Sequence, residues 1–232
     1  LRAQGVADFA TVDRTLLRRH VASLAGSGYK KASIALRLSA VRSFFRFAAR
    51  ENLVPSSPLW EKRSRAAASL SPKQDQRLPT FLTAPEMVRL LDAPDTTTIY
   101  GLRDAAVLEV VYSGGLRVSE ASGLNLESIN IDTQEVRVWG KGAKERMVLM
   151  GGPARTAVQR YLSDARPHLA KGRPKMALFL NRDGGRLSQR SIQYMVKDYA
   201  ALAGLDADRV HAHTLRHSFA THLLDGGADL RV

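Results

Sequence analysis

Apolar residues recur at helical spacing in the first fifty positions. Val12, Leu16, Leu17, Val21 and Leu24 predict a helix with one packing face between Thr11 and Ala25. A second helix is predicted from Lys31 to Arg50, capped at Ser33, with Ile34, Leu38, Val41, Phe45 and Ala48 in one stripe. On another face Arg42, Arg46 and Arg50 repeat every four residues. Residues 61–80 carry no period and include Pro72 and Pro79, the pattern of a linker.

From Phe81 the pattern changes. Thr83 and Glu86 form a capping-box start with Pro85 in the first turn, and Met87, Leu90 and Leu91 supply the apolar side. Leu102 to Tyr112 is largely apolar and predicts a buried helix, broken by Gly114-Gly115 before a new helix opens around Arg117 to Glu120. Val136–Trp139 and Arg146–Met150 predict a hairpin whose tip is Gly140-Lys141-Gly142-Ala143-Lys144. Helices are expected at Pro153–Leu169 and Ser188–Ala203, with a short strand at Leu178–Leu180 ahead of the Asp183-Gly184-Gly185 turn. His213–Leu224 is the last long helix, stopped at Gly226-Gly227. The fold class is therefore mainly α, a helical N-terminal domain followed by a mixed α+β domain with a small antiparallel sheet. The boundaries are residues 1–64, a linker at 65–80, and 81–232.

Charge adds a function to this outline. The chain of 232 residues has a formal net charge of +13. Residues 1–79 hold 15 Lys+Arg against 5 Asp+Glu, whereas residues 80–232 hold 20 against 17. A surplus concentrated in one domain suits a polyanion, because neutralised phosphates release counterions. No Asp or Glu falls between residues 14 and 50, so the Arg42, Arg46 and Arg50 row suits a DNA backbone or groove better than a solvated face. A membrane-surface segment would need an amphipathic helix with an uncovered apolar face, and the two stripes argue for packing instead. No apolar run approaches the roughly 18 residues that cross a bilayer. With no cysteine, a disulfide framework, a thiolate zinc site and a cysteine nucleophile are all excluded.

Four residues carry candidate chemistry. Arg117 follows a double-glycine break at a helix start, where free N–H groups favour an anion. Lys141 stands between two glycines at a hairpin tip. His213 and Arg216 are three apart and share a helical face. Singly, each has an ordinary structural role: Arg117 can pair with Glu120, Lys141 can sit in solvent, and the other two can satisfy a helix start. Together they can clamp a phosphate and move protons on its oxygens. A zinc hydrolase built on His213 and His217, which have the i,i+4 spacing, lacks the glutamate that the pattern needs at Thr214, and Arg216 would repel the cation.

The words around these residues resemble one family. YSGGLRVSE (Tyr112–Glu120), GKGAKER (Gly140–Arg146) and HTLRHSFATHLL (His213–Leu224) look like the tyrosine recombinases and phage-type integrases, closest to the Xer site-specific recombinases. The resemblance covers nearly the whole chain. It implies a SAM-like helical core-binding domain at the N-terminus and a catalytic domain of the DNA breaking-rejoining fold. It also implies cleavage and rejoining of DNA through a 3′-phosphotyrosine, with neither metal nor cofactor.

By this resemblance Arg117 and Arg216 hold the nonbridging oxygens, Lys141 protonates the 5′-oxygen leaving group and His213 assists proton transfer. Glu120 orients Arg117, and His217 serves structure. Lys144 and Arg146 join Arg42, Arg46 and Arg50 as expected DNA contacts. The expected partners are double-stranded DNA and a homo- or hetero-tetramer of protomers on two sites, in the cytoplasm, with no membrane. Chromosome-dimer resolution is the role such proteins commonly serve.

One departure shapes the expectation of activity. The family places its nucleophilic tyrosine, and a second histidine or tryptophan, farther past the second arginine than this chain runs. None of the six tyrosines follows Arg216. Both groups are expected beyond Val232, just as a segment is expected before Leu1, and the chain taken alone is expected to bind without cleaving. The alternative is an interaction module that lacks cleavage altogether.

Overall fold

The computed structural model describes residues 9–54, 81–140, 145–172 and 175–228. The chain divides into two compact units, Leu1–Arg77 and Leu78–Val232. The expected linker at residues 65–80 lies outside the described residues.

In the first unit, α1 spans Arg14–Gly26 and α2 spans Lys31–Arg50. Asp13 caps α1, its Oδ1 accepting from the Leu16 N–H at 2.7 Å. Ser33 is not the cap of α2: the helix starts at Lys31 behind Lys30, which offers no side-chain bond. The chain turns at Gly28, whose φ of 77° is left-handed and closes α1. Leu17, near the start of α1, packs with Phe45 and Ala48 at the end of α2. Leu24, near the end of α1, packs with Ile34 and Leu38 at the start of α2. The two stripes therefore cover each other in an antiparallel pair, which is why neither is left for a membrane.

In the second unit, α3 spans Ala84–Leu91, α4 Ile99–Ser113 and α5 Val118–Gly123. Both the N–H and the hydroxyl of Thr83 donate to Glu86 at 2.8 Å, the start predicted for α3. A three-stranded antiparallel sheet follows, β1 Ile129–Asn130, β2 Glu135–Trp139 and β3 Glu145–Leu149, in that order. The predicted hairpin is β2–β3. Its partner β1, two residues long, is too short to leave a periodic trace in the sequence.

The remaining helices are α6 Gly152–Arg160, α7 Arg166–Ala170, α8 Gln189–Leu202 and α9 Ala212–Asp225. One uninterrupted helix was expected over Pro153–Leu169, but a π turn at Tyr161–Ala165 divides it. Pro167 has no N–H and its ring would press on the carbonyl four residues back, and widening the preceding turn relieves that clash. The expected strand at Leu178–Leu180 is likewise absent as a strand. Isolated bridges Asn125↔Ala177 and Leu180↔Arg186 stand in its place.

The core of this unit surrounds α4, where Leu102, Ala106, Val107, Leu108, Val110 and Val111 are all buried. A helix apolar around most of its surface lies inside, as its sequence predicted. Its buried acid is paired: Asp104 accepts from Arg103 Nε at 2.7 Å and from the Tyr199 hydroxyl at 3.0 Å. Tyr161 is wholly buried and spans the 178–180 segment, donating to the Leu178 carbonyl at 3.0 Å and accepting from the Leu180 N–H at 3.1 Å. Tyr161→Phe strands the Leu180 N–H in a dry interior. The expected loss is about 1–3 kcal/mol of unfolding free energy, read from urea denaturation. A loss of only a few tenths would show that this hydroxyl is not what pins the segment.

Candidate active site

Arg117 is the N-cap of α5, placed there by the turn that ends α4. Gly115 makes that turn with φ of 53°, and a Cβ on it would lie 2.5 Å from the Phe219 ring of α9. Glycine is required at this position twice over, by conformation and by close approach. Gly114 stays in the right-handed region as the C-cap of α4. Only one of the two glycines thus supplies the special geometry.

Glu120, one turn into α5, is the centre of the site. Its side chain is 2% exposed, and four hydrogen bonds reach its two oxygens. The Arg117 N–H donates to Oε2 at 2.8 Å and Arg117 Nη1 donates to Oε1 at 2.9 Å. From β3, Arg146 donates through Nη1 to Oε1 at 2.7 Å and through Nη2 to Oε2 at 2.9 Å. Burial alone would push the Glu120 carboxyl up. The bonds from Arg146 and then from Arg117 outweigh it and bring the group down to about 2.

Arg216 enters the same electric field from α9. Its Nη1 donates to the Gly115 carbonyl. Burial, together with the positive charges of Arg117 and Arg146, draws it below the ordinary arginine value, while Glu120 acts in the opposite sense. The start of α9 is anchored by Thr214, whose hydroxyl accepts from the His211 N–H at 3.2 Å and donates to the Arg209 carbonyl at 3.0 Å. Ser218 adds a bond from the Leu82 N–H at 2.8 Å. His213, on this helix three residues before Arg216, is exposed.

The structure thus gathers Arg117, Glu120, Arg146 and Arg216, with His213 on the helix that carries Arg216. Lys141 and Lys144 lie outside the described residues, although the β2–β3 pair that leads to them is closed by Trp139 opposite Glu145. Arg146, expected on DNA, has both terminal nitrogens committed to Glu120. His217, expected to serve structure, is exposed. The histidine of α9 that does bond within the fold is His222, with Nδ1 2.9 Å from the Tyr112 hydroxyl. That pair links α9 to α4 across 110 positions, a distance at which the sequence carries no local signal.

In the first unit Arg42, Arg46 and Arg50 follow one another along α2. No acid lies within the helix, as expected, but the row meets one just past its end. Arg50 Nε lies 3.0 Å from Glu51, one residue past the helix, and its guanidinium stacks over Phe47 at 5.5 Å.

The tyrosines within the chain are otherwise engaged. Tyr161 and Tyr112 bond as described, Tyr194 accepts from Arg190 at 2.9 Å, and Tyr199 donates to Asp104. Burial and the Asp104 charge hold the Tyr199 phenol well above its usual range, which makes it a poor nucleophile. Rings of Tyr29 and Tyr100 sit beneath Arg37 and Arg103.

Residues 80–232 match the Phage integrase family, and residues 1–52 match the phage integrase N-terminal SAM-like domain. The chain belongs to the phage integrase family, the tyrosine recombinases. It is similar to tyrosine recombinase XerC of Pelotomaculum thermopropionicum, 43% identical over 224 residues that cover 95% of this chain and 71% of the relative. It is also similar to tyrosine recombinase XerD of Pseudomonas putida, 41% identical over 219 residues, covering 94% and 71%. Among solved structures, XerH recombinase bound to a palindromic difH substrate superposes with a TM-score of 0.77 at 22% identity, covering 98% of this chain and 66% of that one. The XerA recombinase superposes at 0.59 and 25% identity, covering 97% and 73%.

Glu120 sets an acid limit on stability. Its carboxyl is depressed in the fold, so its contribution is present in full above the unfolded value near 4.5 and disappears as pH falls through about 2. Chemical denaturation between pH 5 and 2 should show the wild type losing on the order of 3 kcal/mol more than Glu120→Gln. Equal losses in the two proteins would mean that the carboxylate is not held as described.

Proposed function

We propose that the protein is a Xer-like site-specific recombinase that cleaves and rejoins double-stranded DNA through a 3′-phosphotyrosine. The carrying observation is the pair of arginines brought together from different elements: Arg117 follows the α4–α5 turn with its Nη1 on buried Glu120, and Arg216 from α9 donates to the Gly115 carbonyl of that same turn. A phosphate undergoing attack gathers negative charge on its nonbridging oxygens. Two fixed guanidiniums are suited to receive it, because their orientation costs nothing at the moment of reaction. Removing one such donor costs about 2.7–4 kcal/mol of barrier.

In this reading Lys141 protonates the 5′-oxygen as it leaves. His213, exposed on the same helix as Arg216, moves the proton at the attacking phenol, help of a kind worth about 10²–10⁴-fold. None of the tyrosines between Leu1 and Val232 is assigned the attack. Energy stays in the phosphotyrosine bond, so no nucleotide cofactor is required. DNA is gripped through Arg42, Arg46 and Arg50 and the Lys144 hairpin tip, and protomers act as a tetramer on two duplexes in the cytoplasm. Among the described residues no helix is long and apolar enough to cross a membrane. A binding module without cleavage is not favoured, since the similar proteins are named recombinases.

The complete open reading frame, expressed from start to stop codon, should form a covalent adduct on a nicked suicide substrate, with the attached residue identified by peptide mapping. Arg117→Ala and Arg216→Ala should each reduce the rate of adduct formation by about 10²–10³-fold. Undiminished rates, or no adduct with the wild type, would remove the proposal. For the grip, Arg42→Glu with Arg46→Glu should weaken binding and lower the slope of log K against log salt by about one unit per lost phosphate contact. An unchanged slope would take this row off the DNA.

A further inference from the structure

We propose that Arg146 is a positioning residue for the strand-cleavage site, acting through Glu120 to set Arg117, rather than a contact to DNA. This rests on the reading of Arg117 as a phosphate ligand. The geometry begins in the sheet. In the β2–β3 register Arg146 stands opposite Val138, which is buried, while its neighbours Glu145 and Met147 are exposed. Directly paired residues share a face of a sheet. Arg146 therefore points inward with Val138, toward α5, and reaches a carboxylate that water does not.

Its fork spans that carboxylate completely, one terminal nitrogen to each oxygen at 2.7 and 2.9 Å. A planar guanidinium gripping both oxygens fixes the carboxylate in plane and rotation, which a single bond cannot do. Arg117, by contrast, places only Nη1 of its side chain on Glu120 and remains half exposed, at 50%. Arg146 thus takes two of the four bonds to Glu120 and the Arg117 backbone N–H a third, so the Arg117 guanidinium is steered by a single bond without being consumed by the acid. Three guanidiniums, those of Arg117, Arg146 and Arg216, share this field with one carboxylate, and the surplus is left for an anion. Arg146 also lies at the root of the hairpin that carries Lys141, so the same bonds tie the strand leaving the hairpin to the helix that Arg117 caps.

The test uses the complete protein on the suicide substrate, with the adduct rate at saturating DNA, the DNA affinity and the salt dependence measured separately. Arg146→Ala is expected to slow the rate at saturation by roughly 10- to 100-fold, the scale of a misplaced catalytic group. Affinity should stay within about twofold and the salt slope should not change, because no phosphate contact has been removed. Arg146→Lys, which keeps the charge but cannot span two oxygens, should recover only a minor part of the rate.

If Arg146→Ala instead lowers the salt slope by about one and leaves the saturated rate intact, the residue is a DNA contact and the proposal falls. Should the alanine variant melt before it can be assayed, Arg146→Lys is combined with Glu120→Gln. A double variant no slower than Glu120→Gln alone supports action through the acid, and independent, multiplicative losses overturn it. The outcome stays separable from the function proposal, which fails on its own if Arg117→Ala and Arg216→Ala leave the adduct rate unchanged.

Discussion

A buried carboxylate between two guanidiniums is the constraint on which this site depends. Glu120 has almost no access to water, and a lone charge in that position would be too costly to keep. Arg146 and Arg117 supply four hydrogen bonds between them, so the charge is retained and drawn to the acid side of its usual range. The consequence is mechanical as well as electrostatic. One small acid joins the first turn of α5 to β3, and Arg117 cannot drift while both ends of that link are packed.

The rest of the second unit brings the remaining partner to the same place. The left-handed Gly115 turns the chain sharply enough for its carbonyl to receive Arg216, and the missing Cβ leaves room for Phe219. Behind it, α9 is fixed at Ser218 and at the Tyr112–His222 bond. These attachments are polar bonds within or against an apolar core centred on α4. They leave Arg216 on a rigid support, which is what the role proposed for it as a fixed phosphate donor requires.

Much of this was legible in advance, for identifiable reasons. A helix shows as a period and a stop as glycine, so α2, α4, α8 and α9 could be read within a few residues of their observed ends. The failures are equally specific. Ser33 looked like a cap because capping chemistry depends on residue type, whereas the helix already runs from Lys31, with the Ile34 N–H bonded to the Lys30 carbonyl at 3.1 Å. Leu178–Leu180 looked like a strand because it is a short apolar run. Its backbone is instead satisfied in part by the Tyr161 hydroxyl and by Arg166, so a ladder was not needed. The break at the π turn follows from Pro167 but competes with a strong helical period around it.

The amino-acid sequence by itself determined which residues were available for chemistry and which elements would present them. The words around Arg117, Lys141, His213 and Arg216 are local, as are the glycines that shape them and the concentration of positive charge ahead of Phe81. What only the tertiary structure decided is which partner each charge meets. Arg146 and Met147 alternate in β3, and hydrophobicity alone would turn the methionine inward. The strand sits the other way, with Met147 exposed and Val148 packed opposite buried Val136, and on that same inward face Arg146 meets Glu120, 26 positions earlier. That pairing offsets the cost of an unpaired charge in a place that forms only when the chain has folded.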